Sequence, residues 1–205
     1  MNKDLIKEVN KYYTEKVLSY GASPKGADWN GTESQIIRFE QLLKLIPDIK
    51  KPFSLLDYGC GYGSMLGYLN EHLIKADYTG YDISEEMIKK AKEIHSNSGK
   101  WLNSLPNGFK ADYVVASGLL NVKQHRPIKQ WEDYVLSTLD QIDQISKLGF
   151  AFNILTSYSD KEYMRDHLYY AEPEKFFKLC KTKYSKEVAL LHDYQLYEFT
   201  IIVRK

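Results

Sequence analysis

The chain has 205 residues, with 28 Lys and Arg against 27 Asp and Glu, a formal net charge of +1 and only two cysteines. So even a balance gives no general electrostatic grip on nucleic acid, two isolated cysteines cannot form a disulfide scaffold, and no apolar run approaches the roughly 20 residues of a membrane helix. A chain of this size buries roughly 70% of its unfolded surface, and its start, Met1-Asn2-Lys3-Asp4, is too polar for a signal peptide, so one cytoplasmic domain over 1–205 is expected.

Residues 4–20 place Leu5, Ile6, Val9, Tyr12, Tyr13, Val17 and Leu18 near helical spacing, and Gly21 ends that helix. A loop from Ala22 to Gly31 follows, containing Trp29, which is either a hydrophobic plug or part of a lid at a ligand site. Thr32 then reads as an N-cap with Gln35 as its box partner. The second helix carries Ile36, Ile37, Phe39, Leu42, Leu43, Leu45 and Ile46 and stops at Pro47. Gln35 and Arg38 are one turn apart on it and share a face.

The stretch Ser54-Leu55-Leu56-Asp57-Tyr58-Gly59-Cys60-Gly61-Tyr62-Gly63-Ser64-Met65-Leu66 has the order strand, tight turn, helix. Its glycines reach backbone conformations that other residues avoid and let a ligand lie against the main chain. A helix opening after such a turn suits a polar or anionic group. The dinucleotide fingerprint G-x-G-x-x-G is not met: counted from Gly59 its sixth position is Ser64, and from Gly61 it is Leu66.

Ala76 to Asp82 reads as a second strand ending on an acid, suited to the two hydroxyls of an adenosine ribose. That supports a nucleoside cofactor without saying which. Ser84 caps the next helix, and Glu85 and Glu86 suit its positive end. Lys100–Asn103 is a short third strand, and Ala111–Gly118 a fourth, apolar as a strand covered on both faces should be. A loop holding His125 leads to a helix with Ile128, Trp131, Tyr134, Val135, Leu139, Ile142 and Ile145 on its core side. Gly149 precedes a fifth strand, Phe150–Leu155. The connection 157–173 is long and aromatic, with Tyr158, Tyr163, Tyr169 and Tyr170 among the chain's 17 tyrosines. A helix from Glu174 through Cys180 follows. Two last strands, Val188–Leu191 and Tyr197–Val203, form a hairpin around His192–Gln195.

The pattern Asp57-x-Gly59-x-Gly61-x-Gly63, the run Asp82-Ile83-Ser84-Glu85-Glu86-Met87-Ile88-Lys89-Lys90-Ala91 and the terminal hairpin together resemble the class I S-adenosylmethionine (SAM)-dependent methyltransferases, over about residues 30–205. The resemblance implies an α/β fold: a doubly wound, seven-stranded, mostly parallel sheet with an antiparallel last strand. Residues 1–47 would form a helical cap over the cofactor. Residues 53–205 would form the Rossmann-like core, with 157–173 as an insertion on the substrate side. The implied cofactor is SAM, leaving as S-adenosylhomocysteine (SAH). Gly59, Cys60, Gly61 and Gly63 would lie against its methionine part, and Asp57 would fix the loop or the amino group. Asp82 would hold the ribose and Ile83 and Met87 flank the adenine. Asn103 or Ser104 would meet the adenine amino group, although the family more often has an acid there. Arg38 is either a ligand of the SAM carboxylate or an ordinary surface-paired arginine. Ser117 and Gly118 complete the cofactor edge.

The fourth strand ends Ser117-Gly118-Leu119-Leu120 and not in the [DN]-P-P-[YFW] of enzymes that methylate DNA bases or protein glutamine, which disfavours amines of that kind. Nor do Ser117 or Phe150–Thr156 supply the carboxylates of catechol-type enzymes, so no metal is expected. The expected reaction is methylation of an oxygen, less often a nitrogen, of a small molecule. A base is required only if that nucleophile arrives protonated. His192, beside Asp193, is the first candidate and His125 the second, with Tyr158 and Tyr194 beside the substrate. A SAM-binding protein without catalysis is the alternative. A nicotinamide-dependent oxidoreductase is disfavoured by the glycine spacing and the hairpin.

Overall fold

Alternate residues of the central strands feed two separate cores, one on each face of a single sheet. In the computed structural model, which describes residues 3–23, 26, 31–96 and 98–205, the chain runs α1 (Lys3–Tyr20), α2 (Thr32–Leu43), β1 (Ser54–Tyr58), α3 (Ser64–Glu71), β2 (Asp77–Tyr81), α4 (Glu85–His95), β3 (Lys100–Leu102), β4 (Ala111–Ala116), α5 (Ile128–Ile145), β5 (Ser146–Leu155), α6 (Pro173–Lys183), β6 (Glu187–Leu191) and β7 (Glu198–Arg204). On one face Leu56 and Tyr58, Val114 and Ala116, Phe150 and Phe152, and Phe199 and Ile201 pack with Leu5 and Val9 of α1, Trp131 and Leu139 of α5, and Phe176 and Cys180 of α6. On the other Leu55, Tyr113, Val115, Ala151 and Ile202 pack with Phe39 and Leu42 of α2, Met65 and Leu69 of α3, and Ile88 and Ala91 of α4. A strand buried on both faces reads as continuous apolar sequence, which is why β4 and β5 look as they do.

The strand order is β3-β2-β1-β4-β5-β7-β6. The pairs from β3 through β5 are parallel, and β7 runs antiparallel to both of its neighbours. This is the doubly wound sheet with a reversed last strand that the sequence implies. Strand order reverses between β1 and β4, so their carboxyl ends diverge and leave a crevice there.

Three local expectations need correction. Thr32 is the first helical residue and not the cap: Gly31 stands at the N-cap without a side-chain bond. Ser34 instead donates to the Gly31 carbonyl at 2.9 Å, and the Gln35 amide donates to the Ser64 hydroxyl at 2.9 Å. Gly149 lies inside β5, which begins directly where α5 ends. A Cβ at Gly149 would stand 2.3 Å from the Val203 carbonyl oxygen, so the glycine lets β7 approach.

The segment 157–173 folds back along the carboxyl edge of the sheet. Ser157 donates to the Ala171 carbonyl, Ala171 to that of Leu155, and Tyr169 to that of Asn121, each at 2.8 Å. The Asn121 side chain accepts from the Leu155 amide at 3.0 Å. The insertion is thus stitched to β5 and to the stretch after β4.

Candidate functional site

Two cavities open at this edge. The first, about 540 Å³, lies over the β1–β4 crevice and is walled by Asp57 to Tyr62, Asp82, Ile83 and Ser117 to Leu119. Ile6, Val9 and Tyr13 of α1 and Tyr134 and Gln141 of α5 complete it. Its floor is held by main-chain bonds that the glycine turn makes to β2. Gly59 and Cys60 both donate to the Tyr81 carbonyl, at 2.7 and 3.0 Å. The Asp82 carboxylate accepts from Gly61 N through Oδ2 and from Ser84 N through Oδ1, each at 2.9 Å. Every carboxylate oxygen accepts about two bonds, so Asp82 keeps capacity for a ligand.

Asp57 accepts from the Tyr78 hydroxyl at 2.8 Å. Burial pushes its carboxyl up to about 7; the Tyr78 bond opposes that rise and the neighbouring Asp82 adds to it. Burial likewise brings Asp82 up to about 6, against the pull of the Ser84 and Gly61 amides. Loss of solvation disfavours the charged form and is the leading cause in both. The Cys60 thiol is raised for the same reason, which leaves it inert.

The three glycines of the turn are not equivalent. A Cβ at Gly61, whose φ is +54°, would meet only Met87 Sδ, at an ordinary contact distance of 3.9 Å. Gly63, at φ +83°, would drive one to 2.3 Å from the Trp101 ring. Gly61, which borders the cavity, is therefore called for by its backbone conformation, whereas Gly63 leaves room for a core tryptophan.

The second cavity, about 530 Å³, lies on the other side of Tyr13 and Gly118, which line both. Its walls include Arg38, Asn121, Ser159, Tyr163, Arg165, His167, Tyr170 and Tyr197, so the insertion supplies much of it.

The sequence matches the methyltransferase domain family over residues 33–197. A relative from Mycobacterium tuberculosis, named "Putative methyltransferase Rv1506c", is 50% identical over 157 residues, covering 75% of this chain and 94% of the relative. This chain belongs to the methyltransferase domain family. Solved structures of like fold include the magnesium protoporphyrin IX methyltransferase from Synechocystis with bound SAM, at TM-score 0.69, 15% identity and full coverage of both chains. A DhpI complex with SAM and HEP aligns at TM-score 0.66 and 16% identity, again over both whole chains. The plantazolicin methyltransferase BpumL with SAH follows at 0.57, also at 16% identity and full coverage of both. At such identities these likenesses establish the fold.

In this methyltransferase Asp57, Gly59, Cys60, Gly61, Asp82, Ile83, Ser117 and Gly118 all border the first cavity. Ser117 Oγ is buried without a hydrogen-bond partner among the described residues. Gly118 N donates to Asn153 Oδ1 at 2.7 Å. Met87 is buried beneath Gly61 and does not line the cavity. Asn103 donates to Glu85 at 3.2 Å on an exposed depression away from it, and Ser104 is exposed. Neither is brought to the site.

Arg38 borders the second cavity, not the first. Its Nε lies 2.9 Å from Oε2 and 2.8 Å from Oε1 of Glu198, and Nη1 donates to the Ser34 carbonyl at 2.9 Å. The arginine is thus an internal ion-pair partner, a role its position on the helix did not reveal.

His192 and His125 are both exposed and border neither cavity. His192 packs 5.9 Å from the Tyr158 ring, centre to centre, and Tyr158 donates to Glu174. Tyr194 shares a 2.8 Å bond with Thr200 and borders neither cavity. Trp29 lies outside the described residues. Leu119 and Asn121 lie in the edge segment Ser117–Asn121 that the sequence indicates, whereas the sequence reading missed Tyr13, Arg165 and His167. The length and aromaticity of 157–173 were the available signal for the last two. Among the described residues no group of three or more His, Cys, Asp or Glu could hold a metal, and no helix is long and apolar enough to cross a membrane.

Proposed function

We propose that this protein transfers the methyl group of SAM to an oxygen, less often a nitrogen, of a small-molecule acceptor and releases SAH. The observation that carries the reading is a pair of cavities meeting at Tyr13 and Gly118, one over the glycine turn and the other walled by the insertion. Both lie within the roughly 300–1,000 Å³ of small-ligand sites.

SAM supplies a methyl group already activated on a sulfonium; the chain's part is to bind, orient and exclude water. The turn Gly59-Cys60-Gly61, which borders the first cavity, suits the methionine part lying against bare main chain. Asp82, with acceptor capacity left on each oxygen, suits the ribose hydroxyls. Asp57 suits a cationic neighbour, which would favour its ionised form. Ile83 and Leu119 offer the base apolar surface. Gln35, Ser64 and the uncapped start of α3 suit a carboxylate. The unpartnered Ser117 hydroxyl supplies a further donor at the junction.

Small acceptors are also what the like-fold enzymes are named for, a magnesium porphyrin and plantazolicin. Calorimetry should show SAM and SAH binding and NAD not binding. Incubation with a metabolite panel should then consume SAM. A folded sample giving no heat with either nucleoside overturns the cofactor assignment; tight binding without turnover on any acceptor leaves a SAM-binding protein without catalysis.

A further inference from the structure

The walls of the two cavities carry opposite charge. The first is lined by Asp57, Asp82 and Asp140, the last of these paired with Lys183 outside the cavity, and, among the described residues, by no Lys, Arg or His. The second is lined by Arg38, Arg165 and His167 and, among the described residues, by no Asp or Glu. Of the acids near the second, the exposed Glu162 and Asp166 flank Arg165 in sequence without lining the cavity, and two others are engaged. Glu198 is bound by Arg38 and Asn153, and Asp160 accepts from the Tyr197 hydroxyl.

Arg165 is the cation of interest. Its Nη1 donates to the carbonyls of Glu162 and Met164, each at 2.9 Å, which steadies the exposed side chain through neutral acceptors. No ion pair to it is found among the described residues. Tyr170 accepts the Arg165 backbone N–H at 3.0 Å, so its own hydroxyl proton remains to donate. A planar guanidinium, an imidazole and a phenol in one cavity form a donor set for carboxylate or phosphoryl oxygens.

We propose that the acceptor is an anionic small molecule, carrying a carboxylate or phosphoryl group held by Arg165 and His167 in the second cavity. This rests on the methyltransferase reading above and adds the class of acceptor to it. The wall charges sort the two ligands: the acids of the first cavity favour the cationic sulfonium, and the basic side chains of the second favour an anionic acceptor.

The test titrates SAH-loaded, 15N-labelled protein with benzoate, phenyl phosphate, benzyl alcohol and benzylamine. Either or both anions should shift the amides of residues 121–124 and 159–170 and bind about tenfold tighter than the alcohol or the amine. The two anions separate a carboxylate site from a phosphoryl one. Arg165→Gln should erase the preference and Arg165→Lys keep part of it, with SAH affinity as the control for folding. Equal or tighter binding of the alcohol or amine, anion shifts confined to other regions, no anion binding at millimolar concentration, or an Arg165→Gln protein with the preference intact would each overturn the proposal. Failure of SAH to bind would count against the cofactor assignment alone. The four titrations are therefore repeated without nucleoside, where charge preference is read independently.

Discussion

Asp57 and Asp82 stand at the ends of adjacent strands, in a cavity whose described walls carry no basic side chain. Unfolded, each loses its proton near pH 4; folded, burial holds Asp57 protonated to about 7. The native state therefore binds more protons between those values, and the stability this contributes is full below pH 4 and lost as pH rises through 7. Asp57→Asn keeps an oxygen for the Tyr78 hydroxyl and removes the titration. Its melting temperature should be flatter than wild type from pH 4.5 to 8, and it should be more stable at pH 8 by on the order of 2–4 kcal/mol. A cationic ligand reverses the preference by favouring the carboxylate, so SAM affinity should rise with pH over the same window and lose that rise in the variant. Calorimetry across the pH series checks it. The glycines give a sharper contrast. Gly61→Val should fold, at a backbone cost of about 1–3 kcal/mol, and lose SAH binding. Gly63→Ala should instead lose stability outright, because its Cβ meets Trp101. Melting and SAH titration of the two variants separate these roles. The motif spacing made the three glycines look alike. What distinguishes them is a tryptophan 38 positions beyond Gly63, and no local pattern carries that information.

Helix α1 was legible as a helix from its periodicity, but its docking was not. Leu5 and Val9 enter the core on the α5 side, and the Thr14 hydroxyl meets that of Ser84 at 2.7 Å. Ser84 also caps α4, accepting from Met87 N at 3.4 Å. The roof of the first cavity is thus pinned beside the acid that faces it. Added SAH should slow exchange of the amides from Ile6 to Thr14 by about tenfold or more, because opening the roof would then also release a ligand. Thr14→Val should blunt that protection and weaken SAH binding severalfold without unfolding the sheet. Unchanged exchange in α1 on saturation with SAH would show that the helix does not cover the ligand. The placement of His192 fails at this scale too. It follows β6, whose carboxyl end lies on the right edge of the sheet but at the far end of the strand order. Four strand spacings of about 4.8 Å separate β6 from β1. Chain order identifies the edge, and only the pairing gives the lateral distance.

The sheet itself was readable because its cues are local: apolar runs, turn residues and a closing hairpin. The tie that holds its reversed last strand to α2 was not, since Arg38 and Glu198 are 160 positions apart. The pair joins α2 to β7, and Asn153 extends it, donating to Glu198 at 3.4 Å and accepting from Gly118 N at 2.7 Å. One polar chain thus runs from α2 through β7 and β5 to the junction of the two cavities. Glu198 is fully buried, and loss of solvation pushes its carboxyl upward against the pull of Arg38. Removing one member of such a pair strands the other, at about 3–5 kcal/mol, whereas replacing both with apolar groups is often near neutral. Glu198→Ala and Arg38→Met should each destabilise by that amount in urea titrations at unchanged slope. The double variant Arg38→Met/Glu198→Leu should recover most of the loss. Because the chain ends on the Gly118 amide, the single variants should also shift that resonance and weaken acceptor binding more than the double variant does. Single variants costing under about 1 kcal/mol would mean the pair behaves as an exposed one does. The first 47 residues and β7 would then be joined by apolar packing and by the bonds of Arg204 to the Lys44 and Leu45 carbonyls.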